Sequence, residues 1–401
     1  MGTGKTSAAF RYVNASPSGE RIIFISPYSE ENDEGERIKS ACAAKHMVLL
    51  KKVQGAKIND LRHRVQSGAS IVSTHALLER YTDDILASIK EQNYTLIIDE
   101  EYNITRTLDA ATLKRFYFMY ECGYLRCDEE SCAVSFTEKM DFRKCEDNDK
   151  KLAEWISSGA LQYDGAKVTV WAFPLRILDA FRRIIILTYM FDGSPMHCYL
   201  KLNGYRFNRI GVRQIPDGSF EFCGRDESDG FRCNVREMLH VVDNDAYNAV
   251  GDGRNTLSKN WYQKNMNSKV PLLAKKVRNI YKNYFKCSAA DFMWSTFLCY
   301  RGMLEDKNIR KHFVACNKRA TNQYGNRHYL AYAVGMHPHP DCYHYFKSRG
   351  CPMDTERWAV SNMVQWIWRS AIRNGEEVWI YVPSQRMRKL LLNWIEEVSC
   401  A

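Results

Sequence analysis

The chain has 401 residues, 45% of them hydrophobic and 26% charged, with a formal net charge of +10. That length accommodates two domains, each with its own core, and the composition is that of a globular protein rather than a disordered or fibrous one. No apolar run reaches the ~18 residues of a membrane helix and no signal-type apolar stretch follows the start, so no membrane partner is expected, while the basic surplus favours a polyanionic one.

The chain opens "MGTGKTSAAF", and Gly4, Lys5 and Thr6 read as the G-K-T that enters a helix. "RIIFISP" (21–27) is a short apolar run closed by a proline, the pattern of a buried strand. "SEENDEGERIKSACAAK" has acids early and bases late, as a helix favours. "SIVSTHALLERY" reads as a strand running into a helix, and "YTLIIDEEYN" (94–103) and "RRIIILTYMFDGS" (182–194) as two further buried strands. Strands separated by helical crossovers predict a parallel sheet with helices on both faces. A polar, cysteine-dotted stretch around 120–170 reads as an insertion, and the pattern restarts near 205. The predicted domains are therefore 1–204 and 205–401. In the second, "NTLSKNWYQKN" and "KVPLLAKKVRNIYKNYF" read as basic helices. "DFMWSTF", "HFVACN", "HYLAYAVG" and "EEVWIYVPS" read as strands of a second parallel sheet, with "MVQWIWRSAIRNGEE" a helix before the last. The fold class is α/β, two mainly parallel sheets flanked by helices.

Chemistry concentrates at the strand ends. Backbone N–H groups around Gly2, Thr3 and Gly4 suit a phosphate at a helix start, Lys5 suits the β/γ-phosphates, and the Thr6 hydroxyl suits Mg²⁺. Asp99 and Glu100 close a buried strand: a carboxylate for Mg²⁺ and one to polarise the attacking water. Ser26 and Pro27 end one strand and Thr74 and His75 end another, placing hydroxyls and N–H groups where a nucleic-acid backbone phosphate could be held; a capped helix start is the simpler alternative. Thr188, at the end of "RIIIL", could couple nucleotide and polymer sites. Gln365, Arg369 and Arg373 recur at i, i+4 and i+8, which on a helix is one face, and either arginine could serve as a finger toward a γ-phosphate. Arg319, Thr321 and Asn322 lie in a polar loop of a type that holds phosphates.

In order, G-K-T, "ISPY", "STHALL", "IIDEE", "LTYMFDGS", "RATN" and "QWIWRSAIR" resemble the motifs of superfamily 2 (DEAD/DEAH-like) helicases, particularly the origin-binding-helicase-like proteins of tailed phages. The resemblance spans nearly the whole chain. It implies two RecA-like domains, ATP and Mg²⁺ bound in the cleft between them, and single-stranded or forked DNA (or RNA) running across both. It also implies a place in the host cytoplasm and replication proteins as partners. The sequence departs from the family at Tyr102, where His or Asp is usual, and at Trp368, where Gly is usual, and it spaces Arg369 and Arg373 by four rather than three. The phosphate loop lacks its first half, which suggests a chain shortened at its amino end, with a missing strand expected in the middle of the first sheet. The alternative function is a nucleic-acid-binding accessory protein with an idle ATPase site.

Fourteen cysteines are scattered along the chain. With a nucleotide motif present they read as reduced structural thiols of a cytosolic protein. Cys122, Cys127, Cys132 and Cys145, and the group His337, His339, Cys342, His344 and Cys351, fit zinc spacing only marginally.

Overall fold

The computed structural model describes residues 3–27, 34–129, 132–140, 150–163, 165, 169–228, 234–317 and 323–399. The chain divides into two compact units. The amino-proximal unit comprises Ala9–Asn208 and Pro338–Asp354, and the carboxy-proximal unit Met1–Ala8, Arg209–His337 and Thr355–Ala401. This departs from a simple division at 205 in two places. The first eight residues associate with the carboxy-proximal unit, and a 338–354 excursion belongs with the amino-proximal one.

Helix α1 (Lys5–Ala15) leads into strand β1 (Ile22–Ser26), α2 (Glu34–Ala41), β2 (Val48–Leu49), α3 (Lys57–Gln66), β3 (Ile71–Thr74), α4 (His75–Leu78), α5 (Asp83–Glu91) and β4 (Thr95–Asp99). After β5 (Thr105–Thr107) come α6 (Ala110–Glu121), β6 (Leu125–Cys127), β7 (Val134–Phe136), α7 (Lys150–Ser157), β8 (Leu161–Tyr163), β9 (Thr169–Ala172) and α8 (Leu175–Asp179). Strand β10 (Arg183–Leu187) and α9 (Pro195–Leu202) close this half. The main sheet has the order β10-β4-β1-β3-β2, every pair parallel. Ile22, Ile23, Phe24, Ile25, Leu96, Ile97 and Ile98 are all buried. That follows from parallel strands covered on both faces, which read as unbroken apolar runs rather than alternating ones. The five strands are contiguous, in the order β10-β4-β1-β3-β2, with no gap inside the sheet. Strand β10 is an edge strand, and Ile184, Ile185 and Ile186 remain partly exposed along it. The expected insertion is a pair of small antiparallel sheets, β5-β9-β8 and β6-β7.

The carboxy-proximal unit begins with the antiparallel hairpin β11 (Ile210–Gln214) and β12 (Phe220–Gly224). Then follow α10 (Val235–Met238), β13 (Leu239–Val241), α11 (Asp245–Asn248), α12 (Lys259–Lys264), α13 (Lys269–Asn279), β14 (Phe292–Ser295), α14 (Arg301–Leu304) and β15 (Tyr329–Tyr332). Helix α15 (Pro340–Ser348) returns to the amino-proximal unit, where the Tyr345 hydroxyl donates to Gln162 Oε1 at 2.9 Å. The chain ends with α16 (Thr355–Ile367), β16 (Val378–Tyr381) and α17 (Gln385–Ser399). Strands β13-β16-β15-β14 form an all-parallel sheet. Its core is built on Leu257, Tyr262, Leu273, Val277, Phe292, Trp294 and Tyr381. The expected strand at "HFVACN" does not form. Phe313 makes only an isolated bridge to Trp294, just after a 3-10 turn, Arg310–His312, that takes up the start of the segment.

Candidate functional site

In the amino-proximal unit the strand ends named from sequence converge. Ser26 and Thr74 lie side by side in register, at the carboxyl ends of β1 and β3. Ser26 is buried, and Pro27 follows it out of the strand. Thr74 is the N-cap of α4, its hydroxyl accepting from the Leu77 N–H at 3.3 Å. The helix-cap reading is therefore the one the Thr74 side chain satisfies. His75 turns back toward β4, its Nε2 lying 3.1 Å from the Asp99 carbonyl oxygen. Its ring packs 5.1 Å from Tyr102, which in turn packs edge-on against Phe173. Tyr102 is buried, and its hydroxyl bonds Glu79. At this position the tyrosine is thus a packing residue that braces His75.

Asp99 and Glu100 are half-buried at the end of β4. Glu100 adopts φ +63°, a left-handed backbone that a non-glycine residue enters only when its surroundings impose it. The Glu100 N–H donates to the Leu187 carbonyl at 3.0 Å, which holds the kink against β10. The turn directs successive acids differently. Glu101 Oε1 accepts from the Met196 N–H at the start of α9 at 2.9 Å, a favourable place for a carboxylate. Thr188 follows β10 directly and is half-buried. Sequence reasoning passed over Arg37 on α2, whose guanidinium bonds Glu34. Burial works against its charge, but Glu34 and then Asp99 outweigh this and hold the group above the ordinary arginine value. A basic residue in the first turn of the helix that follows β1, paired at i, i+3 with Glu34, was the available signal.

In the carboxy-proximal unit, Gly4 has φ +78° and α1 begins at the next residue, with the Ala8 N–H donating to the Gly4 carbonyl at 2.8 Å. Lys5 Nζ donates to the Thr3 hydroxyl at 3.3 Å, and Thr6 occupies the first turn. A side chain at Gly4 would collide with the Phe220 ring, 2.3 Å from where a Cβ would stand. Gly2 lies outside the described residues, as do Arg319, Thr321 and Asn322.

The arginine helix requires correction. Helix α16 stops at Ile367, so Gln365, Arg369 and Arg373 do not share a helical face. Ser370 is extended (ψ −170°), its hydroxyl donates to the Ile367 carbonyl at 2.6 Å, and a 3-10 turn, Ala371–Asn374, follows. A serine returning its hydroxyl to the preceding turn competes with helix continuation. Gln365 remains on α16, donating to the Ser361 hydroxyl at 3.1 Å. Arg369 is buried, 7% exposed, whereas Arg373 is exposed. Trp368, at the position where the helicase pattern has Gly, packs edge-on against Trp394 of α17.

The described cysteines are free, and no group of three or more metal-type side chains occurs among the described residues; Cys145 lies outside them. Burial pushes the Cys42 and Cys198 thiols up to about 12, which fits inert structural residues.

Two comparisons bear on these units. A profile of the YonV C-terminal Rossmann-like domain matches residues 233–395. The whole chain is 31% identical to the SPbeta prophage-derived uncharacterized protein YonV of Bacillus subtilis (strain 168), over 99% of this chain and 97% of the relative. The chain belongs to the YonV family. The Rossmann-like YonV domain coincides with the β13–β16 sheet and its helices. No described helix is long and apolar enough to cross a membrane.

Proposed function

We propose that this YonV-family protein is an ATP-dependent nucleic-acid motor of the superfamily 2 type, hydrolysing ATP with Mg²⁺ and moving on single-stranded DNA. The observation that carries the reading is the start of α1, where Lys5 and Thr6 follow a left-handed glycine, so that N–H groups, an ammonium and a hydroxyl gather at one helix terminus. Lys5 takes the β/γ-phosphates. The Thr6 hydroxyl and Asp99 carboxylate are oxygen donors of the kind magnesium prefers, and the bound ion supplies neutralisation of phosphate charge. Glu100, held by its strained backbone, orients and deprotonates the attacking water. Of the two candidate fingers Arg369 is the buried one and Arg373 the exposed one, and the role is assigned to Arg369. Ser26, Thr74 and His75 lie along the polymer path, and Thr188 reports nucleotide state to it. A prophage-derived relative is compatible with a replication setting.

One observation favours a second reading, a nucleic-acid-binding accessory protein with an idle ATPase site: the Phe220 ring fills the space beside Gly4. Steady-state ATPase with and without single-stranded DNA separates the two. Strong stimulation by DNA, abolished by Lys5→Ala and by Glu100→Gln, is the result expected of the motor. Salt-sensitive DNA binding with no hydrolysis would overturn it in favour of the accessory protein.

A further inference from the structure

At the carboxyl ends of β15 and β16 in the carboxy-proximal unit, three segments meet more closely than side chains allow. A Cβ at Gly251 would stand 1.9 Å from the Pro383 carbonyl oxygen, and one at Gly335 would stand 2.3 Å from the Thr256 carbonyl oxygen. The loop 251–256 is closed on itself, the Thr256 hydroxyl lying 2.6 Å from the Gly251 oxygen and 2.8 Å from the Gly253 oxygen. It is tied to the start of α17 by the Gly253 N–H, which donates to Gln385 Oε1 at 3.1 Å. Arg386, one residue on, donates through Nη1 to the Met336 carbonyl at 2.8 Å and through Nη2 to the Thr355 carbonyl at 3.4 Å. Its guanidinium is therefore fixed beside His337.

The convergence gathers cations. Arg254 and Arg386 each act electrostatically on His337, and Arg254 on Arg386. Burial, then Arg386, then Arg254 push His337 below the ordinary imidazole value, so the ring is neutral at pH 7 and keeps one N–H to donate. Glu356 is the acid that acts on Arg386, while Arg254 and His337 make no ion pair among the described residues. Arg388 is turned away, bonded to the Val382 and Pro383 carbonyls. Holding two guanidinium groups together costs free energy that a bound anion would recover. Ligands of parallel sheets bind at this end of the strands.

We infer that Arg254, His337 and Arg386 form a binding site for a backbone phosphate of single-stranded nucleic acid. This rests on the nucleic-acid reading above and adds to it a contact assigned to none of the helicase-like motifs. The two arginines supply forked donors matched to a phosphate, and sequence-independent phosphate contacts of this kind position a strand without reading it.

The test is fluorescence-anisotropy titration of a labelled oligothymidylate with the full chain across a salt series. Arg254→Ala, at an exposed residue, should weaken binding about fivefold and lower the slope of log K against log salt by about 0.7, one phosphate's share. Arg386→Gln should do the same, and the double variant should lose about twice that slope. Wild-type binding with Arg254→Ala unchanged in affinity and slope would overturn this site while leaving the nucleic-acid reading intact. No salt-sensitive binding by the wild type would remove both. Inorganic phosphate raising the melting temperature of the wild type but not of Arg254→Ala, with oligonucleotide binding equal in both, would assign the site to a small anion and overturn the inference. If Arg386→Gln unfolds, Arg254→Glu, which should lower the slope at least as much as Arg254→Ala and weaken binding further, decides, and an unchanged slope and affinity there would overturn the site.

Discussion

The two units carry the same kind of sheet with opposite chemistry at the same end. In the amino-proximal unit the carboxyl end of β4 delivers three consecutive acids, Asp99, Glu100 and Glu101, and the carboxyl end of β10 leads to Asp192. In the carboxy-proximal unit the ends of β15 and β16 deliver His337 and Arg386, with Arg254 folded in beside them. A parallel sheet fixes where a site will be, and the residues just beyond each strand fix what it can hold. Carboxylates suit a metal ion and an activated water; guanidinium groups suit phosphate oxygens.

That contrast can be broken or sharpened at graded cost. The largest effect is expected at Arg369. If the buried arginine is the finger, Arg369→Ala should lower DNA-stimulated turnover about a thousandfold, and Arg373→Ala, at an exposed residue, should change it little. Equal losses in both would return the choice between them to an open question. Next, Gly251→Ala forces a methyl into the Pro383 carbonyl and should destabilise the carboxy-proximal unit by about 3 kcal/mol, read as a lower denaturation midpoint. An unchanged midpoint would mean the loop does not pack as described. Removing the brace on the acidic side is milder: His75→Ala loses the bond to the Asp99 carbonyl and should cost about 1 kcal/mol in urea unfolding.

The smallest effect is a pH dependence at the opposite end of the carboxy-proximal sheet. His328 lies between Asp291 (Nδ1···Oδ1, 2.7 Å) and Glu376 (Nε2···Oε2, 2.6 Å). Burial lowers its pKa, but bonds to the two carboxylates outweigh that and hold it above the ordinary value. A raised folded-state pKa contributes stability that is complete below about 6.5 and is lost as pH rises through the folded value. The wild type should therefore lose slightly more stability than His328→Gln between pH 5.5 and pH 9, by less than about 1 kcal/mol, because the ring is partly solvated. Thermal melts of both proteins at the two pH values provide the check.

What could be read from the sequence followed the range of the interactions involved. Strand β4 was plain because Leu96, Ile97 and Ile98 form an unbroken apolar run ended by acids, a local pattern. Strand β13 was not singled out: it is three residues long, has His240 in its middle, and exists because it pairs with Leu239↔Val378 and its neighbours, 139 positions away. The run at 365–373 carries helical spacing throughout, yet the helix ends at Ile367 because Ser370 turns its hydroxyl back, a competition that periodicity does not register. The excursion of α15 into the other unit depends on contacts such as Tyr345 with Gln162, which no local pattern encodes. The G-K-T and the Asp99–Glu100 pair were legible from residue type together with a local context, a helix start for one and the end of an apolar run for the other. Arg37, Arg254 and Arg386 were missed, and His337 was weighed only as a zinc ligand, because their relevance comes from what folds beside them.

The margin of the amino-proximal sheet bears on how the protein behaves at the bench. Arg182 donates to the Tyr94 carbonyl, so alternate peptide groups of β10 point away from β4, between three isoleucines that water still reaches. An unguarded hydrogen-bonding rim with greasy flanks recruits any extended polypeptide nearby, and Arg183 is the lone charge on that strand to discourage it. Concentrated stocks should therefore cloud first through this seam, and a lysine in place of Ile185 is the least invasive means of keeping them clear.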